Sequence, residues 1–136
     1  MTLPDGTRIR ASALSDRDES DAERSFGLYL DDRWRPTWPS VTIAWADFGL
    51  PLDSEEAARQ IKAAFSRAKR GELVEVGCVG GLGRTGTVLA CMAVLAGVAS
   101  TDAVAWVRRT YDTRAIKTAE QESWVLWFSE WVGDPR

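Results

Sequence analysis

The sequence predicts an α/β fold with a short, mostly parallel central sheet of about 4–5 strands flanked by helices. Three observations predict it. A strand pattern (Leu73, Val74, Val76) runs into a glycine-dense turn, and a long apolar helix pattern follows at once. Upstream, an amphipathic helix from Asp53 to Arg70 separates that strand from another at Val41 to Trp45, a β, loop, α, β unit whose strands should be parallel. Two more helical patterns then fill the end of the chain.

Each element has its own signal. Thr7 to Leu14 alternates Ile9, Ala11 and Ala13 against Arg8, Arg10 and Ser12, which predicts a first strand. Ser15 to Ser25 has almost no apolar residue and reads as a solvated connection. Phe26 to Leu30 predicts a second strand, and Asp31 to Pro39 a loop held by Pro36, Pro39, Trp34 and Trp38. Val41 to Trp45 (Val-Thr-Ile-Ala-Trp) predicts a buried strand. Asp53 and Glu56 form a capping box for the amphipathic helix, whose Ala57, Ile61, Ala64, Phe65 and Ala68 recur at helical spacing; Gly71 closes it. Leu73 to Val76 is the next strand. From Arg84 to Val98 the residues are almost all apolar, which predicts a helix buried on most sides. Ser100 or Thr101 opens another helix reaching Tyr111. Thr118 opens the last, with Trp124, Val125, Phe128, Trp131 and Val132 on its inner face.

Composition limits the function. A chain of 136 residues is expected to form one domain, 1–136, burying roughly two thirds of its unfolded surface. Net charge is −3, and Asp5 to Glu23 carries six acids against three arginines, so no basic stripe points to nucleic acid. The longest apolar run, Val88 to Val98, is too short to span a bilayer, and no membrane association is expected. Two cysteines, Cys78 and Cys91, and the lack of a secretory apolar segment at the start suit a reducing cytoplasm. Histidine is absent, which leaves carboxylates as the acid and base groups and removes the commonest metal ligand.

The chemistry-bearing stretch is Val74 to Gly86. Its glycines allow the backbone to turn successive N–H groups to one side, and the following helix presents its positive end to the same place. A dianion fits there. Cys78 at the start of the loop can attack phosphorus, because amides, a helix N-terminus and an arginine all favour its thiolate. Arg84 has the planar fork to hold two phosphate oxygens. The loop itself, Val79, Gly80, Gly81, Leu82 and Gly83, supplies the remaining phosphate contacts. Gly81-Leu82-Gly83-Arg84-Thr85-Gly86 also fits the dinucleotide pattern, but no second strand ending in an acid follows the helix, and the lysine of an ATP-binding loop is missing. Cys91 falls on the buried helix and is assigned to packing.

Cys78, Gly80, Gly81, Gly83, Arg84, Thr85 and Gly86 match, in register, the signature of the cysteine-dependent protein tyrosine phosphatases, and the chain resembles a small bacterial or dual-specificity-like member. A second, separate stretch, Trp45-Ala46-Asp47-Phe48-Gly49-Leu50-Pro51, resembles the mobile acid loop of that family and lies in the proper order, with Asp47 31 residues ahead of Cys78. The resemblance implies a tyrosine-phosphatase-like fold and metal-independent hydrolysis of phosphoprotein or a small aryl phosphate through a phosphocysteine, without a cofactor and as a monomer. Asp47 is the implied acid and then base, and Thr85 the donor to the departing thiolate. Trp45 is the implied hinge of the acid loop or simply the end of a core strand. Gln121 is either the residue that places the hydrolytic water or, with Thr118, a capping box.

Val79 and Leu82 stand where relatives acting on inositol lipids often carry lysines, so phosphoprotein is favoured. Phosphotyrosine and phosphoserine or phosphothreonine both fit. Arg33, Trp34, Arg35 and Trp38 line the entrance or only pack their loop. The alternative reading is a catalytically silent phosphotyrosine-binding module. Two departures stand out. Ala46 replaces a proline of the acid loop, and Gly77 stands where the family has the histidine that braces the cysteine loop. Unless another residue braces it, the Cys78 pKa should be raised, and direct thiol titration should give a value above about 5.5.

Overall fold

The structure, a computed structural model, describes residues 1–14, 24–34 and 36–133. Most of the Ser15 to Ser25 connection, and Arg35, lie outside the described residues. Four strands and four helices follow in the order β1 (Arg10–Ala13), β2 (Phe26–Tyr29), β3 (Ser40–Thr42), α1 (Ser54–Lys69), β4 (Val74–Cys78), α2 (Gly83–Leu95), α3 (Ala103–Thr110) and α4 (Ala119–Trp131). The strands form one sheet in the order β1-β4-β2-β3, with every pairing parallel. The expected α/β class and short parallel sheet are found.

β4 is the pivot of the sheet. It is buried along its whole length and pairs with β1 on one side (Ala13 opposite Cys78) and β2 on the other (Tyr29 opposite Gly77). All four strands run the same way, so the ends of β1, β2 and β4 open on one edge, where ligands bind in parallel sheets. Asp53 caps α1 through the Glu56 amide, but Glu56 turns its side chain to Arg59 and Gln60, so the expected capping box is only half made. The buried face of α1 is the predicted one, and its Ile61 and Phe65 contribute about 1.5–3 kcal/mol each by leaving water. α2 is buried on nearly every side from Arg84 to Val94 and packs on β4 and on all three other helices. Cys91 is fully buried there, and burial pushes its thiol up, as suits a packing role.

Several boundaries differ from those expected. β3 is a three-residue edge strand rather than Val41 to Trp45; the chain leaves the sheet after Thr42, and Trp45 instead bridges to Pro51. β2, not β3, neighbours β4, which inserts between β1 and β2, while β3 pairs with the other edge of β2. On α4, Trp124, Val125 and Phe128 are buried as predicted, whereas Trp131 and Val132 are only partly covered.

The sheet also buries a carboxylate. Glu75, with no exposed surface, accepts hydrogen bonds from Ser12 Oγ (2.7 Å), Arg10 Nε (3.0 Å), Arg24 Nε (2.7 Å) and Tyr29 Oη (2.7 Å). Burial acts to raise its pKa, but the Arg24, Tyr29 and Ser12 bonds outweigh it and the net shift is downward. A carboxyl depressed in the folded state contributes stability in full above its unfolded value, near 4.5, and loses it as pH falls through the folded value. Glu75→Gln should therefore cost about 3 kcal/mol at neutral pH by removing the buried carboxylate that Arg10 and Arg24 share. The gap to wild type should narrow below about pH 4. Urea unfolding at both pH values checks this, and a gap that ignores pH contradicts it.

Candidate active site

Cys78 is the last residue of β4, and Arg84 and Thr85 lie in the first turn of α2. The loop between them is built by tying its carbonyls to the surroundings. The Gly77 carbonyl accepts from the Leu30 amide (2.8 Å), Cys78 from the Trp34 indole (3.3 Å), Val79 from the Leu14 amide (3.1 Å), Gly81 from the Tyr111 hydroxyl, and Leu82 from the Gly86 and Ile116 amides. In a planar trans peptide the N–H points opposite to the C=O. Holding these carbonyls by outside donors thus turns the intervening N–H groups to the other side. α2 has no side-chain cap at Leu82, so its first-turn amides add to them.

Cys78 Sγ, 2% exposed as a residue, accepts from the Gly81 amide (3.1 Å) and the Thr85 hydroxyl (3.0 Å). Gly81 has φ of +71°, a conformation that favours glycine, and a Cβ there would meet Ala13 at 3.1 Å. Gly86 is needed for approach rather than dihedral freedom, since a Cβ would lie 2.9 Å from the Ala115 side chain. That contact seats the 115–116 turn on α2. Ile116 takes φ of +63°, costly for a β-branched residue, and Arg108 holds the turn by donating to the carbonyls of Ala115 (2.9 Å) and Ile116 (2.7 Å).

Arg84 is 3% exposed and multiply anchored. One terminal nitrogen donates to the carbonyls of Leu30 (2.7 Å) and Trp45 (2.8 Å), the other to Asp31 Oδ2 (3.2 Å). Its Nε is a buried side-chain donor left unpaired. Asp31 is held well below the usual carboxylate range, chiefly by the Arg33 guanidinium, against the opposing effect of burial and with help from Arg84. Sequence reasoning missed Asp31; the available signal was an acid just past the end of a parallel strand, on the edge where Cys78 emerges.

The 45–51 loop, called the acid loop for the role the sequence resemblance implies for Asp47, is docked against this centre. Asp47 is exposed, with Oδ1 3.8 Å from an Arg84 terminal nitrogen and accepting from the Phe48 amide. The Trp45 indole donates to the Gly49 carbonyl (2.8 Å), closing the loop on itself. Gln121 is fully buried and reaches both ways: Oε1 accepts from the Lys117 (2.8 Å) and Thr118 (3.3 Å) amides, and Nε2 donates to the Gly49 carbonyl (3.1 Å). The capping box with Thr118 is present, and the same side chain ties α4 to the acid loop. Of the entrance residues, Arg33 pairs with Asp31, Trp38 donates to Tyr29 Oη and Trp34 is buried.

A parallel four-stranded sheet whose central strand delivers a cysteine into a glycine loop, with an arginine on the following helix, defines a protein of the cysteine-dependent tyrosine-phosphatase class. Residues 40–125 match the family described as Swiss Army Knife protein, DSP-PTPase phosphatase domain, and the chain belongs to that family. An uncharacterised protein of Methanocaldococcus jannaschii is 35% identical over 111 residues, covering 73% of this chain and 67% of the relative. Among solved structures, human DUSP28 superposes with a TM-score of 0.72 at 12% identity, over 91% of this chain and 92% of that one. Tk-PTP in its active form gives 0.59 at 22% identity, over 79% of each chain. At these identities the structural likeness is one of fold. No helix among the described residues is long and apolar enough to cross a membrane.

The double use of Gln121 is testable. Gln121→Ala should cost about 1–2 kcal/mol in urea unfolding through the lost cap and tie. It should also speed hydrogen exchange at the Gly49 and Leu52 amides, which are bonded within the acid loop. Unchanged exchange at those amides would show that the loop does not depend on the tie.

Proposed function

We propose that this chain, acting as one unit over 1–136, hydrolyses phosphomonoesters on proteins by a metal-independent route through a phosphocysteine. The observation that carries the reading is the pair of donors on Cys78 Sγ, from Gly81 N–H and Thr85 Oγ1, at the start of α2. Those two donors and the helix N-terminus are placed to meet negative charge on the sulfur when it is displaced from phosphorus.

In the first step the Cys78 sulfur forms a bond to phosphorus as the ester P–O bond breaks, and Asp47 gives its proton to the leaving oxygen. Arg84 offers its unpaired Nε to an equatorial oxygen, and the side of the guanidinium facing Asp31 and Asp47 offers a second donor. The charge that develops is met by guanidinium and amides, so the route asks for no metal. In the second step water attacks phosphorus, Asp47 takes its proton, and sulfur leaves with the Thr85 hydroxyl donating to it. With Oε1 of Gln121 fully engaged, one N–H of its amide is left for that water.

Phosphotyrosine is the proposed substrate residue, with phosphoserine and phosphothreonine as the competing choices. The route needs Cys78 reduced, which fits a cytoplasmic location. Turnover of an aryl phosphate in chelator should be abolished by Cys78→Ser and slowed by roughly 10²–10⁴-fold by Asp47→Asn. Arg84→Lys should be nearly as damaging as loss of the nucleophile, because an ammonium replaces the fork by a point charge. A phosphopeptide panel then ranks the three residues. If wild type and Cys78→Ser are equally inert while both retain phosphopeptide binding, the chain is a silent recognition module.

A further inference from the structure

The side of β4 next to the nucleophile holds an aromatic group that the mechanism above does not use. Trp34 is 2% exposed and lies flat on Tyr29, with ring centroids 4.4 Å apart and planes 17° from parallel. Its indole fills the space that a side chain at position 77 would need: a Cβ on Gly77 would lie 2.7 Å from Cζ2 and 3.0 Å from Cε2 of Trp34. From there its N–H donates to the Cys78 carbonyl at 3.3 Å, near the long end for such a bond. Tyr29 is itself fixed, since its hydroxyl donates to Glu75 (2.7 Å) and accepts from the Trp38 indole (2.8 Å).

We propose that Trp34 is a positioning residue for the nucleophile: by holding the Cys78 carbonyl it sets the plane of the peptide between Cys78 and Val79, and so the amide face presented to the thiolate and to phosphate. This rests on the assignment of Cys78 as the nucleophile. Of the other loop carbonyls, those at Gly77, Val79 and Leu82 are held by backbone amides, which any sequence supplies, and the one at Gly81 by the Tyr111 hydroxyl, three residues further from the sulfur's own peptide. The Cys78 carbonyl is held by a side chain, so its orientation depends on one residue. Released, that peptide can rotate and bring its carbonyl dipole toward the sulfur, which disfavours the thiolate. Gly77 belongs to the same device, because only glycine leaves room for the indole. Trp34 also follows directly on the Asp31 turn that anchors Arg84, its amide donating to the Asp31 carbonyl at 3.4 Å. One five-residue stretch, Leu30 to Trp34, therefore sets both the nucleophile and the clamp.

The test reads thiol ionisation, apart from turnover. The rate of Cys78 alkylation by iodoacetamide is followed against pH at the Cys78 peptide by mass spectrometry in wild type, Trp34→Phe and a chain carrying benzothienylalanine at position 34, an isostere that loses only the indole N–H. Both substitutions should move the midpoint upward by about 0.5–1 pH unit, since a peptide dipole turned toward the sulfur is worth about as much as one hydrogen bond. The acid limb of kcat/KM should move with it. Gly77→Ala should raise the midpoint in wild type and by less in Trp34→Phe, where the smaller ring relieves the two closest contacts and leaves only the one to Tyr29 Cδ1 at 3.2 Å. If Trp34→Phe fails to fold, the isostere still decides, and an unmoved midpoint in the isostere overturns the proposal. Turnover in wild type with an unmoved midpoint removes only the role of Trp34; a moved midpoint without any turnover removes the phosphatase reading and leaves the positioning one.

Discussion

The guanidinium of Arg84 is the interaction on which the rest of the site depends. It is buried, and a buried cation is tolerable only when its donors are met. The carbonyls of Leu30 and Trp45 and the carboxylate of Asp31 meet them, and those three acceptors come from the end of β2, the acid loop and the turn after β2. Satisfying one charge therefore brings two separate stretches, the Leu30–Asp31 turn and the loop that starts at Trp45, to the edge of the sheet where Cys78 emerges. The unmet Nε is the remainder of that arrangement. It gives the site an unfilled demand for an acceptor, which a phosphate oxygen fits in chemistry and charge.

A second buried charge works at the opposite end of β4. Glu75 is surrounded by donors from β1, β2 and the segment before β2, so it fixes the strands against one another in one register: a slip of one residue would expose it to the wrong face. Tyr29 connects this network to the site, bonding Glu75 at its hydroxyl and stacking on Trp34 with its ring face. The absence of a side chain at Gly77 is then part of a packed arrangement in which the indole occupies the space. A gap in the expected pattern of the cysteine loop is filled from 43 residues upstream in the chain.

Much of this was legible in the sequence. The order of strands and helices, the buried character of α2 and the inner face of α1 follow from hydrophobic period, which is a local property. The spacing of Cys78 and Arg84 and the order of the acid loop before them gave the candidate residues. Less legible were the ends of elements. Val41 to Trp45 has the composition of a buried strand, yet only Ser40–Thr42 pairs, because Arg84 takes the Trp45 carbonyl and the acid loop must leave the sheet. The double character of Gln121 could not be chosen from sequence because both readings use one side chain: its oxygen caps α4 while its nitrogen holds Gly49.

By itself the sequence determined an α/β chain with a glycine loop between a strand and a buried helix, a cysteine and an arginine at its two ends, and an aspartate on a separate loop upstream. Those are matters of spacing and residue type along a continuous stretch. Only the tertiary structure decided that Asp31 anchors Arg84, that Gln121 ties α4 to the acid loop, and that Trp34 stands in the space left by Gly77. Each of these joins residues far apart in the chain, and their meeting is set by parallel strand order and by the need of buried polar groups for partners, neither of which has a local signature.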